Sequence, residues 1–358
     1  MLFEKFSARS LQLANRMVMA PMTRSRATPA HTPDALMATY YGQRATAGLI
    51  ITEGTSPSPN GLGYPRIPGL FDSIQVEAWK AVTSAVHAGG GKIFVQLMHC
   101  GRVAHVANLP AGAEVLGPGT AVCPGEMYTD TLGMQPYSTP RAMIEADITH
   151  AVQEYVTSAR LALDAGFDGI ELHGANGYLI EQFLNPIVNL RHDGHGGSIE
   201  GRNRLAIEIA RATVAAVGRD RVGMRLSPYG VFNGTGAFPD VEAQYLALGK
   251  SLSSVGLLYI HLVDHSAMGA PPVPADFKLK LRASFDGVFI LSGGFDHARA
   301  EQALLDRRGD LIAFGRPFLA NPDLVARMHK DAPLNAPDMA TFYVPGAKGY
   351  TDYPALAA

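Results

Sequence analysis

Within six residues, His173, Asn176 and Tyr178 place an imidazole, a carboxamide and a phenol at the end of an apolar run. That run, 167–172, follows Asp164-Ala165-Gly166 and reads as a short buried strand. Donors mounted where a rigid strand ends are well suited to holding a reacting group. His173 and Asn176 could grip a substrate oxygen as negative charge gathers on it, and Tyr178 could deliver a proton beside it. The structural alternative is a satisfied core histidine next to a packed aromatic.

Such side chains need a scaffold. Eight short apolar runs recur, at 17–20, 49–52, 93–97, 169–172, 222–226, 258–263, 288–291 and 311–314. Runs of this kind fit strands buried on both faces of a parallel sheet. Helix-like segments alternate with them. Thr32-Pro33 offers a cap and a first-turn proline ahead of Ala35, Leu36, Met37, Tyr40 and Tyr41. The segment 73–87 sets Trp79, Val82 and Val86 on one stripe and stops at Gly89-Gly90-Gly91. Ile148, Val152, Tyr155 and Ala159 mark a helix over 147–165, and others are expected over 202–217, 240–252, 275–282, 296–306 and 322–329.

Eight strand-then-helix units predict an α/β fold, a single (β/α)8 TIM barrel spanning 1–358 as one domain, because parallel strands need helical crossovers. An open doubly wound sheet would carry a glycine-rich dinucleotide turn after its first strand, and Ala20-Pro21-Met22-Thr23-Arg24 is not one. Residues 2–14 are expected to form an N-terminal hairpin at the barrel's bottom. The insertion 101–145, after the third strand, is rich in Gly, Pro and Thr without a helical period, and is expected to be a lid over the site.

Barrel active sites occupy the carboxyl-terminal ends of the strands. Those ends supply Pro21, Met22 and Thr23, then Glu53 and Gly54, Gln96 with His99, His173, Arg225 and His261. The last two give Ser292-Gly293-Gly294 and Gly315-Arg316. Barrel phosphate sites form from these final loops, where small residues expose backbone N–H groups; Arg316 adds a charged fork. The pair therefore points to a phosphorylated cofactor or substrate. Arg225 would be unpaired in the barrel mouth unless an anion meets it, the alternative being an ion pair with Glu53 or Asp264. Gln96 can offer both a donor and an acceptor to a heterocycle with imide-like edges.

Composition narrows the class further. Of 358 residues, 47 % are apolar and 17 % charged, which supports a large core rather than disorder. A net charge of −2 without long runs of one sign argues against nucleic-acid or membrane partners. Cys100 and Cys123 form no framework, the amino terminus lacks a signal-peptide pattern, and no run is long enough to span a bilayer. A cytoplasmic enzyme, monomer or homodimer, is expected, and the Asn233-Gly234-Thr235 sequon would then be idle. Gly89-Gly90-Gly91-Lys92 continues into Ile93 and is no P-loop. His192 with His195, and His261 with His265, lack a carboxylate or cysteine cluster of metal-site spacing, so no metal is expected.

Taken in order, the motifs resemble one family. They are Ala20-Pro21-Met22-Thr23, the stretch 41–53, and Val95-Gln96-Leu97-Met98-His99-Cys100-Gly101-Arg102. They continue with Glu171-Leu172-His173-Gly174-Ala175-Asn176-Gly177-Tyr178, the stretch 196–202, Ala313-Phe314-Gly315-Arg316 and the stretch 349–354. Over essentially its whole length the chain resembles the old yellow enzymes, FMN-dependent NAD(P)H:flavin oxidoreductases and ene-reductases. It is most similar to the bacterial group of N-ethylmaleimide and pentaerythritol tetranitrate reductases.

The resemblance implies non-covalent FMN, with NADPH or NADH as reductant. Activated C=C bonds in α,β-unsaturated aldehydes, ketones and maleimides would be reduced by ping-pong hydride transfer from flavin N5, with nitro compounds as a further substrate class. It assigns Pro21, Met22, Thr23, Gly54 and Gln96 to the flavin ring, and Arg225 to its pyrimidine side. Ser292, Gly293, Gly294, Gly315 and Arg316 fall to the phosphate. His173 and Asn176 would bind the substrate oxygen, Tyr178 would give the proton, and Tyr343 would line the substrate pocket. Met98 and Cys100 stand where that group has tryptophan and threonine, His195 where it has tyrosine, and Gly201 where it has asparagine. Residues 263–272 also depart from it. A flavin-free barrel lyase would want a lysine at a strand end, and none of the ends offers one.

Overall fold

A computed structural model describes residues 1–356. Eight parallel strands close into a barrel: β1 (Met17–Met19), β2 (Leu49–Thr55), β3 (Ile93–Leu97), β4 (Gly169–Gly174), β5 (Val222–Leu226), β6 (Tyr259–Val263), β7 (Val288–Ser292) and β8 (Leu311–Phe314). Their order around the barrel follows the chain, with β8 beside β1. Every strand residue is buried except Ser292, as expected of strands covered on both faces. The fold is the (β/α)8 barrel that the alternating runs predict.

The helices that cover it include α1 (Ala35–Gly42), α2 (Ser73–Ala88), α3 (Glu145–Asp164), α4 (Leu179–Leu184), α5 (Ile199–Val217), α6 (Val241–Val255), α7 (Ala275–Ala283), α8 (His297–Leu305), α9 (Arg316–Ala320) and α10 (Leu324–His329). Caps fix several starts. Asp72 accepts from the Gln75 N–H and Ser198 from the Gly201 N–H, so α5 begins ahead of the expected position 202. At α1 the cap is Asp34, whose Oδ1 accepts from the Met37 N–H at 3.0 Å, and not Thr32, whose hydroxyl pairs with that of Thr28. Trp79, fully buried on α2, packs edge-on to Phe167 at 5.2 Å. Burying about 200 Å² of such a ring stabilises by on the order of 5 kcal/mol.

Side chains alternate along each strand, so every second residue faces the barrel axis. The lower interior is apolar: Val18, Leu49, Ile51, Phe94, Tyr259, Val288, Ile290 and Leu311 form one cluster with Phe6, Leu11 and Leu13. Those last three belong to the antiparallel hairpin Phe6–Ala8 with Leu11–Leu13, which plugs the bottom as expected. Phe94 and Tyr259 meet with ring centroids 5.9 Å apart. Room for them comes from glycines on the neighbouring strands. A Cβ at Gly169 would lie 2.4 Å from the Phe94 ring, and one at Gly223 would lie 2.3 Å from the Tyr259 ring.

The insertion 101–145 is more ordered than its composition suggests. It holds a helical turn, Val106–Asn108, and an antiparallel hairpin, Glu126–Thr129 with Gly133–Pro136. The short pairing of Leu116–Gly117 with Arg141–Ala142 closes its base. Buried Asn108 donates to the carbonyls of Gly63 (3.0 Å) and Tyr128 (3.1 Å), tying the hairpin to the loop after β2.

Candidate active site

Moving up the barrel axis, the interior changes from apolar to polar. Glu171 of β4 is fully buried, and both its oxygens are engaged: Oε1 accepts from Gln96 Nε2 at 2.7 Å and Oε2 from His261 Nδ1 at 2.9 Å. An acceptor-only carboxylate puts the imidazole proton on Nδ1 and leaves His261 Nε2 as an acceptor. Strand register builds this layer. Glu171 pairs with Gln96, while Arg225 pairs with His173 on one side and His261 on the other.

Arg225 makes neither of the ion pairs the sequence allowed. Glu53 instead accepts from the Tyr41 hydroxyl (3.2 Å) and the Arg24 N–H (3.4 Å), and Asp264 from Lys278 (2.6 Å). The Arg225 guanidinium is buried, with Nε unpartnered among the described residues. Burial lowers its pKa, against an opposing pull from Glu171. Burial also holds His173 well below the usual imidazole range, helped by Arg225, His261 and His265. His173 is therefore a neutral ring, and its buried Nδ1 has no partner among the described residues.

A tight turn follows β4. Asn176 and Gly177 both take the left-handed conformation, at φ 60° and 76°. Asn176 is held there by its backbone N–H and carbonyl, whereas a Cβ at position 177 would also meet the Phe232 carbonyl oxygen at 2.6 Å. The turn is held at four backbone atoms. Asn176 N–H donates to Ser227 Oγ (2.9 Å) and Gly177 N–H to Glu181 Oε2 (2.6 Å); the Asn176 carbonyl accepts from Asn233 (2.7 Å) and the Gly177 carbonyl from Gln182 (2.8 Å). The Asn176 side chain is left free, its buried Oδ1 without a partner among the described residues. Tyr178 leads into α4, with its ring centroid 5.1 Å from that of His173 and its hydroxyl donating to Tyr64 at 3.2 Å. Burial, then the neighbouring Cys100, raises the Tyr178 pKa, so the phenol is protonated at neutral pH.

The other strand ends surround this group. Gly54 sits past a register shift in β2, beside Gln96, and a Cβ there would lie 2.5 Å from the Met98 thioether. Pro21 is buried, Met22 and Thr23 partly so. Ser292 ends β7, and Gly293 and Gly294 follow with φ 158° and 66°, outside what most side chains permit. Gly315 precedes α9, the nearest atom to a Cβ built there being Met22 Sδ at 3.6 Å, and Arg316 is exposed beside it. Two residues sit differently from the rest. Tyr343 is 62 % exposed, at the rim rather than in the buried group. The Nδ1 of His99 is spent on the Gly101 N–H, accepting from it at 3.0 Å, its buried Nε2 has no partner among the described residues, and burial pushes its pKa down to about 3.

Several residues in this arrangement carry no motif of their own. Glu171 was detectable by parity, since it lies two before His173 and so shares the inward face. Tyr64, Glu181 and Ser227 gave no signal, because contacts of theirs span 114, 46 and 51 residues and depend on how loops return to the barrel mouth.

A closed parallel barrel, with glycine turns after its last two strands and unpartnered polar atoms above its polar layer, defines a class of barrels that bind a phosphorylated cofactor. Comparison narrows the class. Residues 1–335 match the model of the NADH:flavin oxidoreductase / NADH oxidase family, and the chain belongs to that FMN-dependent family. It is 41 % identical to the chanoclavine-I aldehyde reductase of Penicillium roqueforti, over 98 % of this chain and 95 % of that one. It is 41 % identical to 12-oxophytodienoate reductase 1 of Oryza sativa subsp. japonica, over 97 % and 90 %. Among solved structures, morphinone reductase in complex with tetrahydroNAD superposes with a TM-score of 0.95 at 42 % identity, covering 99 % of this chain and 98 % of that one. Among the described residues no helix is long and apolar enough to cross a membrane, and no group of three or more His, Cys, Asp or Glu could hold a metal ion.

Proposed function

We propose that this protein is an NAD(P)H-dependent ene-reductase that reduces the C=C bond of α,β-unsaturated aldehydes, ketones and maleimides. The observation that carries the reading is a neutral His173 and an Asn176 carboxamide, both with buried unpartnered polar atoms, one turn from a protonated Tyr178. The names of the relatives support it, since an aldehyde, a morphinone and an oxo-dienoate are what those proteins are named for reducing.

The residues fit FMN. Gly293, Gly294, Gly315 and Arg316 would hold its phosphate, where backbone N–H groups can approach and Arg316 adds charge. Pro21, Met22, Thr23, Gly54 and Gln96 would border its ring. Arg225, whose Nε has no partner among the described residues, would meet the pyrimidine edge. When bound, FMN supplies the hydride, which it takes from NAD(P)H.

The chain's own residues do the rest. His173 and Asn176 hold the substrate's carbonyl oxygen and draw charge from the double bond. Enolate-like charge then collects on that oxygen, where preorganised donors are worth about 10²–10³ in rate each. Tyr178 delivers a proton to the α-carbon. Residues 101–145 close over the site as a lid and exclude water, with Tyr343 at the pocket's edge. The whole chain acts as one FMN-binding domain. In a test on protein loaded with FMN, NADPH bleaches the flavin absorbance and cyclohexenone restores it. Failure to take up FMN, or bleaching that the enone does not reverse, contradicts the reading.

A further inference from the structure

We propose that Glu181 is a positioning residue for the reaction, holding Asn176 and Tyr178 in their working geometry through Ser227 and the Gly177 amide. The inference rests on the ene-reductase reading of the site.

Glu181 is 1 % exposed and sits at the centre of the turn's support. Its Oε2 accepts the Gly177 N–H at 2.6 Å. Both its oxygens lie within reach of Ser227 Oγ, at 2.9 and 3.0 Å, and the Tyr245 hydroxyl of α6 points at Oε1 from 3.4 Å. No lysine, arginine or histidine makes a salt bridge with it among the described residues. A buried acid without a cation carries a large desolvation penalty, and burial lifts its pKa to about 7 against the pull of these donors. A neutral glutamine would fill the same space at lower cost, so packing alone does not explain a carboxylate here.

What a carboxylate supplies is polarity. With a pKa of about 7 it is ionised from neutral pH upward, and in that form its oxygens only accept, so every neighbour must donate. The Ser227 hydroxyl must send its proton to Glu181, and its oxygen is then free to accept the Asn176 N–H at 2.9 Å. Two successive amides, Asn176 and Gly177, thus end on one anchor, the first through Ser227 and the second directly. Both residues are left-handed, a conformation that persists where the surroundings over-determine it. With those two peptide planes fixed, the direction of the Asn176 side chain is set, and so is the start of Tyr178. A glutamine would bring an N–H₂ group into a cluster of donors, and the turn could relax toward a different φ.

Phenol tests this, because its oxygen can take both donors as an enolate oxygen would, and its binding can be followed by flavin absorbance. Glu181→Gln and Ser227→Ala, each loaded with FMN, are expected to bind phenol about tenfold more weakly and to be reoxidised by cyclohexenone about tenfold more slowly, a loss of one charged hydrogen bond. Affinity for FMN and the melting temperature should stay close to wild type. The double variant should lose no more than either single one, since both act along one chain of contacts. Unchanged phenol affinity in both variants overturns the inference alone, as does a loss of FMN affinity and melting temperature in step with phenol affinity, which would mark general support of the fold. A wild-type protein that binds neither FMN nor phenol overturns the functional reading and the inference together.

Discussion

Replacing Tyr178 with phenylalanine should slow reoxidation by an enone by about 10²–10⁴, the usual worth of a positioned general acid. The NADPH-driven half of the cycle should be nearly unaffected, because only the second half consumes the proton. Phenylalanine keeps the ring that packs 5.1 Å from His173 and removes only the hydroxyl directed at Tyr64, so the fold should tolerate the change. Stopped-flow absorbance resolves the two halves. Equal slowing of both would assign Tyr178 to cofactor or nucleotide placement instead. Solvent deuterium should leave its label on the α-carbon in the wild type.

His173→Ala is the second large effect. It removes one of two donors to the substrate oxygen, and about 10²–10³ in enone turnover should go with it. Phenol affinity should fall in parallel. Burial keeps the ring neutral, so its capacity to donate does not depend on protonation near neutral pH, and phenol affinity should show no step at the ordinary imidazole pKa. The variant also leaves Arg225 and His261 in place, and with them the Glu171–Gln96 pairing. FMN should therefore still bind. Unaltered phenol affinity in the variant would remove His173 from the site.

These expectations rest on elements of unequal legibility. The barrel strands stood out because a parallel strand is buried on both faces, and near-continuous apolar runs such as Ile93–Leu97 and Val222–Leu226, broken only by Gln96 and Arg225, are what that burial selects. The turn after β7 was legible because positive φ at Gly293 and Gly294 calls for glycine. The start of α1 is ambiguous in sequence, since Thr32 and Asp34 both cap well and only the Thr28–Thr32 contact decides between them. The hairpin Glu126–Thr129 with Gly133–Pro136 was hidden because its strands are short and half exposed, and buried Asn108 rather than an apolar face ties it down. Helix α4 escaped notice for another reason: all six of its residues are buried, so it shows no amphipathic stripe.

The support beneath the site was least visible. Glu171 and Glu181 are acids in an apolar context, and their roles follow from partners on other strands and helices. Met98 and Cys100, both buried, pack with Leu62 and Ile67, and Tyr64 and Tyr178 lie against that cluster. Two of the departures from the resembled group, Met98 and Cys100, thus fall in the wall against which Tyr178 packs.

On the proposed reading a riboflavin phosphate lies across the barrel mouth, with its phosphate held by the turns after β7 and β8. Titrating the flavin-free protein with FMN and, separately, with riboflavin measures what that hold is worth. Two charge-assisted hydrogen bonds to the phosphate are worth about 3 kcal/mol or more, so FMN should bind at least ~100-fold more tightly than riboflavin. Equal affinities would contradict the account.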